Sequence, residues 1–144
     1  MKKKENKERK YLPTLADLID NLTINQIKEI KFFDKKDVYA HEIEGICHDI
    51  DLIAREKDIT LTSSLVRTII VIAQLNLSIW EHKDKMQKAS SEDYLGLLKI
   101  AHQLNGVRNT MKNKILEITG EKNIGKKRTN VETDDLKGWD IHVE

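Results

Sequence analysis

A chain of 144 residues is long enough for one domain with a buried core. Its composition is 39% apolar and 34% charged with one Pro and six Gly, which is typical of a helical protein and poor in the turn residues of many-stranded sheets. The net charge of +1 gives no global attraction to nucleic acid or membranes, and the single Cys47 excludes an intramolecular disulfide. No window reaches roughly 18 uninterrupted apolar residues, so we expect a cytoplasmic protein without a membrane span.

Charge and apolar content divide the chain into three parts. Residues 1–11 form a basic arm that we expect to be disordered, and residues 12–119 form the bundle. Residues 120–144 are expected to be a flexible tail outside the core, with a docking segment at Trp139, Ile141 and Val143. The basic stretches 2–10 and 122–128 are suited to phosphate backbones, but they lack interleaved aromatics and acidic residues offset them. Solubilising tails are the alternative, and we expect no nucleic-acid partner.

The first helical region carries two start signals. Thr14 is placed as an N-cap, with Asp17 three residues later near the free amides of the first turn. Thr23 and Gln26 have the spacing of a second capping box. The sequence therefore predicts a bend near residues 21–23 between a short helix and a second one that ends around Phe33.

A helix is predicted from about residue 36 to residue 56 by a heptad-like apolar seam, beside which Cys47 is interpreted as a small core or boundary residue. The opposite side carries a row whose helical spacing would let imidazole and carboxylate groups reach one divalent metal. The alternative is a solvated face with local ion pairs. The seam consists of Tyr39, Ile43, Ile46, Ile50 and Ile53, and the row of His41, Glu44, His48 and Asp51.

The central helix is predicted over residues 61–85 and is apolar on almost every side, so we expect other helices to enclose it, with Ile70 and Leu77 in the core. Asn76 projects among apolar neighbours, where an unpaired amide would cost about 1 to 3 kcal/mol, so it requires a partner. The polar stretch EHKDKMQKASSED (81–93) is predicted to connect this helix to the next.

The last helix is predicted to begin at a cap supplied by Ser90 or Ser91 and to run to about Thr119, with Gly120 at C′. Its core face is expected to contain Leu97, Ala101, Leu104, Val107, Met111, Ile115 and Ile118.

A polar stripe on the same helix is unusual because asparagine is a poor helix former. With neighbouring leucines it resembles the wall of a half-buried groove, and amides and a guanidinium there would suit an anionic, nucleotide-like ligand. The alternative is a structural network that bonds helices together and satisfies Asn76. The stripe comprises His102, Asn105, Asn109 and Asn113, with Arg108 and Lys112 beside it.

Three short elements, LPTLADLIDNLTI (12–24), LNLSIWEHK (75–83) and HQLNGVRNTMKN (102–113), resemble small helical proteins of unknown function from bacteria and phages. The resemblance covers about residues 12–119 and implies a helical bundle but no activity. A phage protein that sequesters a nucleotide signal would fit it. The positions that it points to are Asp20, Thr23, Trp80, Glu81, Asn105, Arg108 and Asn109.

The sequence therefore predicts a single all-α bundle of four or five helices and a non-catalytic binding protein without a cofactor. The bound species is either a small anionic ligand in a polar inter-helix groove or a partner protein. Alternatives are a metal-assisted hydrolase of nucleotide phosphates and a structural homo-oligomer or nucleic-acid accessory protein. The ligand-binding candidates are Asn76, Trp80, Glu81, His102, Asn105, Arg108 and Asn109.

Overall fold

A computed structural model describes residues 11–121, 125–127, 129, 136–139 and 141–143. Its regular elements are four α-helices and one short 3-10 turn at Phe33–Lys35. The helices are α1 (Leu15–Lys31), α2 (Lys36–Glu56), α3 (Ser63–Lys88) and α4 (Ser91–Ile118). The predicted all-α bundle is confirmed. The basic arm predicted for residues 1–11 lies outside the described residues, apart from its last residue.

Helix α1 begins as predicted and then continues without the predicted bend. The Thr14 hydroxyl accepts a hydrogen bond from the Asp17 backbone N–H at 3.2 Å, and the Asp17 carboxylate accepts one from the Thr14 N–H. The Thr23 hydroxyl instead donates to the Asp20 carbonyl at 2.8 Å, within the same helix. Because Thr23 bonds to the preceding turn, it does not cap a second helix, and the prediction of two helices here is wrong.

Helices α3 and α4 begin at the side-chain caps that their sequences contain. The Thr62 hydroxyl accepts from the Leu65 N–H, and the Ser90 hydroxyl accepts from the Asp93 N–H. Helix α3 extends to Lys88, so most of the polar stretch predicted as a connection is helical. Polar residues that are good helix formers continue a helix into solvent without a break in hydrogen bonding.

Helix α4 ends in the predicted glycine motif. Gly120 has a φ of 75°, and its N–H donates to the Glu117 carbonyl at 3.2 Å. The next N–H, of Glu121, donates to the Leu116 carbonyl at 2.7 Å. These two bonds form a Schellman motif, which requires the left-handed conformation that glycine adopts without strain.

The core lies where α3 packs against α4 and α1. Five of the seven residues predicted for the core face of α4 are buried, while Leu97 and Ile118 are half-buried. The most completely buried large side chains are Ile72, Leu75, Leu104, Ile115 and Leu116.

The prediction that other helices enclose α3 on all sides is wrong. Val66, Ile70 and Leu77 share one side of α3 and are 40%, 51% and 41% exposed. Ile70 and Leu77 are therefore not core residues. The cause is the position of α2: among the described residues, its backbone approaches α1 and the 3-10 turn but not α3.

Helix α2 forms over the predicted residues, but none of its 21 residues is buried. Its isoleucine seam is half-buried, with Ile50 and Ile53 packed against the edge of the core. Cys47, interpreted from sequence as a core or boundary residue, is exposed. Because α2 packs beside α1 and not against α3, the region between α2 and α3 stays open.

Residues that follow α4 contribute to the hydrophobic core. Leu136 is buried in the core, and Trp139, Ile141 and Val143 pack against it. Arg67 of α3 donates a hydrogen bond from Nη1 to the His142 carbonyl at 3.0 Å. The predicted docking is thus present, and the expectation that no residue beyond Gly120 enters the core is wrong.

Within the described residues, α3 is long and apolar enough in composition to cross a membrane. Its buried side forms the core with α1 and α4, and a core helix meets the same criterion.

Candidate functional site

Asn76 lies where α3 crosses α1 and has the partners that the sequence required. Its amide Nδ2 donates to Asp20 Oδ1 at 2.8 Å and to Thr23 Oγ1 at 2.7 Å. Its Oδ1 accepts from Arg108 Nη1 of α4 at 2.9 Å. One buried amide therefore ties three helices together, and its hydrogen-bonding capacity on both ends is used.

Arg108 is held on two sides within the protein. Nη1 donates to Asn76, and Nη2 donates to the Asn105 side-chain oxygen one turn earlier on α4. Nε is buried without a hydrogen-bond partner and lies 4.0 Å from Asp20 Oδ1. The guanidinium thus points inward, toward the carboxylate on α1, with 23% of its side chain exposed.

Lys112 extends the cluster by one helical turn. Its Nζ lies 3.1 Å from Asp17 Oδ1 and 3.4 Å from Asp20 Oδ2. Lys127, from the segment after α4, places its Nζ 3.2 Å from Asp17 Oδ1. We call this set the polar cluster; it comprises Asp17, Asp20, Thr23, Asn76, Asn105, Arg108, Lys112 and Lys127.

The cluster controls the ionisation of Asp17. Burial alone raises the pKa of the Asp17 carboxyl, but the hydrogen bond and charge of Lys112, followed by those of Lys127, outweigh it. The pKa of Asp17 therefore lies below its ordinary value of 3.8. The charged form is the one that the fold stabilises.

This direction sets a pH dependence of stability. Because the pKa of Asp17 is lower in the folded than in the unfolded chain, its contribution is fully present above about pH 4 and is lost as pH falls through the folded value. We expect the difference in unfolding free energy between the wild type and Asp17→Asn to shrink below about pH 4. Urea titrations from pH 6 to 2 measure it, and a difference that stays constant over this range would contradict the assignment.

Two further contacts fasten the end of α4 and the segment after it. The Asn113 amide forms a reciprocal pair with the Lys127 backbone, donating to its carbonyl at 2.8 Å and accepting from its N–H at 2.7 Å. Buried Glu121 accepts from the Leu15 N–H at 3.4 Å and from the Thr119 hydroxyl at 2.9 Å. The first helix and the last are thereby joined at their ends.

Three predicted ligand-binding residues, Trp80, Glu81 and His102, lie outside the polar cluster, and a fourth, Asn109, directly follows Arg108 on α4. Trp80 is half-buried and packs edge-to-face on Phe32, with ring centroids 5.7 Å apart. Glu81 and His102 are exposed, and Asn109 is half-buried. The structure therefore brings Asn76, Asn105 and Arg108 together, whereas Trp80 belongs to an aromatic contact at the end of α1.

The row for which the sequence leaves open a metal site or a solvated helix face runs along the exposed side of α2. His41 lies 3.9 Å from Glu44, and His48 lies 3.2 Å from its neighbour Asp49. In the part of the chain that the structure describes, no three His, Cys, Asp or Glu side chains are grouped to hold a metal ion. The row, including Asp51, has the geometry of a solvated helix face.

An apolar groove of about 680 Å³ lies between α2 and α3, with α1 as its floor. Leu77 and Ala73 form the α3 wall, and Ile43 and Cys47 form the α2 wall. Charged lining groups occur only as Lys31 and Glu81 within the described residues. We call this the apolar groove; its floor is lined by Leu22, Thr23, Gln26, Ile27, Ile30 and Lys31.

From the sequence, neither Asp17 nor the apolar groove was assigned to a site, and Lys112 and Lys127 were placed in two separate candidate sites, the polar stripe of the last helix and the basic stretch 122–128. Asp17 was recognised only as a capping residue, and Lys127 follows the last helix by several residues. The sequence did contain a signal for the groove, because α3 is apolar on almost every side and the rest of the chain does not cover all of that surface.

Comparison with protein-family models, curated proteins and solved structures gave no match. The resemblance of three short elements to helical proteins from bacteria and phages therefore stays a prediction.

Proposed function

We propose that this protein is a non-catalytic, cytoplasmic binding protein that recognises an amphipathic helix in the apolar groove. The observation that carries the proposal is the groove itself, whose walls and floor come from three helices. A large, contiguous patch of exposed apolar side chains marks a protein interaction site more often than it marks surface without a function.

The shape of the groove favours a helix as its occupant. Helices α1, α2 and α3 border the groove on three sides, and none of its described lining residues belongs to α4. One more helix, supplied from outside, would fit on the open side and complete a four-helix arrangement around the groove. An apolar stripe on α3 is exposed at Val66, Ile70 and Leu77 and half-buried at Ala73. In chain order these four residues are four, three and four positions apart. That spacing is the one by which two helices interdigitate along a common seam.

The polar cluster is suited to a structural role, which leaves the apolar groove as the binding site. Its amides and cations are bonded to one another and to Asp17 and Asp20. The one donor without a hydrogen bond, Arg108 Nε, is buried and faces Asp20 at 4.0 Å, so the described donors of the cluster are turned toward the protein's own groups and away from an external anion. We assign it to holding α1, α3 and α4 in place. The exposed, locally paired row on α2 likewise supports a binding protein over a metal-assisted hydrolase.

Site-specific crosslinking tests the proposal. A photo-reactive amino acid replaces Leu77 in the groove, and a matched control replaces Leu95, which is 71% exposed on α4. In cells that make the protein, we expect discrete adducts from position 77, joined to a segment with helical apolar spacing. No adduct from position 77, or the same adducts from position 95, would contradict it.

A further inference from the structure

We infer that the occupant of the apolar groove is α3 of a second copy of this chain, in a two-fold symmetric dimer. This inference rests on the proposed helix-binding function and names its partner. Three features of the molecule support it: the order of exposed and groove-lining side chains along α3, the charges near the two ends of α3, and the exposed apolar area on this side of the protein.

The apolar stripe of α3 has two successive parts: an exposed ridge formed by Val66 and Ile70, and a groove wall formed by Ala73 and Leu77. Ala73 and Leu77 line the groove, whereas Val66 and Ile70 stand outside its lining and project into solvent. A two-fold axis between Ile70 and Ala73 would place the ridge of each copy in the groove of the other. A surface that pairs with itself in this way forms a closed, isologous contact.

The side chains along the stripe fit this arrangement. With the two α3 helices antiparallel, Ile70 of one copy faces Ala73 of the other, and Val66 faces Leu77. Each layer then combines a larger side chain with a smaller one, so the helices approach closely without overpacking. Arg67, the one charged side chain between residues 63 and 80, already bonds the His142 carbonyl on another side of α3.

The ends of the contact are electrostatically complementary. In the same register Glu81 of one copy lies beside Thr62, the N-cap of α3 in the other. The first turn of α3 contains no acidic residue of its own. A carboxylate there would complement the positive end of the helix and its free amides.

The available area suits a homodimer. A stable dimer buries about 800 Å² on each partner, about two thirds of it apolar. Ile30, Val66, Ile70 and Leu77 are 73%, 40%, 51% and 41% exposed, which together amounts to the surface of about two whole aliphatic residues. The half-buried lining of α1 and α2 and the polar rim are available for the remainder.

Sedimentation velocity of the purified full chain over a range of concentrations tests the inference. We expect a dimer whose Kd rises at least tenfold in Ile70→Glu, because the substitution places a charge in the partner's apolar groove. Leu95→Glu is the matched control and should leave the Kd unchanged. Circular dichroism checks that each variant folds, and Leu77→Gln provides a second, milder variant.

A chain that is monomeric at 100 µM, or a dimer that neither Ile70→Glu nor Leu77→Gln weakens, would overturn the inference. The helix-binding function is tested separately by the crosslinks from position 77. Adducts to a different protein, from a chain that sediments as a monomer, would support that function and reject the second copy as the occupant.

Discussion

Replacing Asp20 by alanine is expected to lower the free energy of unfolding by about 3 to 5 kcal/mol. The Asp20 carboxylate accepts from the Asn76 amide and pairs with Lys112, and it is the carboxylate nearest to Arg108 Nε. Its side chain is 9% exposed. Removing it leaves Arg108 and Lys112 facing a cavity that water reaches poorly, and Asp17 is the one carboxylate among the described residues that still pairs with either of them.

Urea unfolding at neutral pH measures this loss. Asp49→Ala is the matched control, because Asp49 also lies within a helix but is exposed and pairs with the exposed His48. We expect the control to change stability by no more than about 0.5 kcal/mol. If Asp20→Ala were as mild as the control, the polar cluster would not be what joins the helices.

Replacing Ile72 by alanine is expected to cost about 2 to 5 kcal/mol. Ile72 is fully buried in the core that α3 forms with its neighbours, so truncation removes buried methyl groups and leaves a cavity. Chemical denaturation gives the difference, and Gln74→Ala, two residues away on an exposed side of α3, is its control. A cost below about 1 kcal/mol for Ile72→Ala would mean that α3 is not central to the core.

Much of the fold was predictable because its signals are local. Thr14, Ser90 and Gly120 end or begin helices through hydrogen bonds to residues a few positions away, and the spacing of the α4 apolar residues sets its core face. Thr23 misled the prediction because the same hydroxyl can cap a new helix or bond to the turn before it. Only packing decides between these.

The exposure of one side of α3 could not be read from its apolar residues. Hydrophobic side chains show that a surface must be covered, but they do not show whether the same chain or another molecule covers it. Ile70 and Leu77 were predicted as core for this reason. Among the described helices, the backbone of α2 approaches α1 and not α3, and this tertiary arrangement is not encoded by any local pattern.

The polar cluster was predictable in part. Asn76 and Arg108 were singled out because an amide on an apolar helix side and several asparagines on one helix conflict with local preference. Asp17 was predicted only as a capping residue, because charged residues are mostly solvated, and Lys112 and Lys127 were predicted in two separate candidate sites. That the three meet depends on how α1, α4 and the following segment pack.

The measurement that tests most directly whether the open side of α3 is a binding surface is the stability of Ile70→Ala beside that of Ile72→Ala. Both are determined by urea unfolding at a protein concentration low enough for the chain to be monomeric. Ile70 is 51% exposed and Ile72 is fully buried, so Ile70→Ala should cost less than about 1 kcal/mol while Ile72→Ala costs several. Equal, large losses in the monomer would show that the Ile70 side is core, and would contradict a groove kept open for a partner helix.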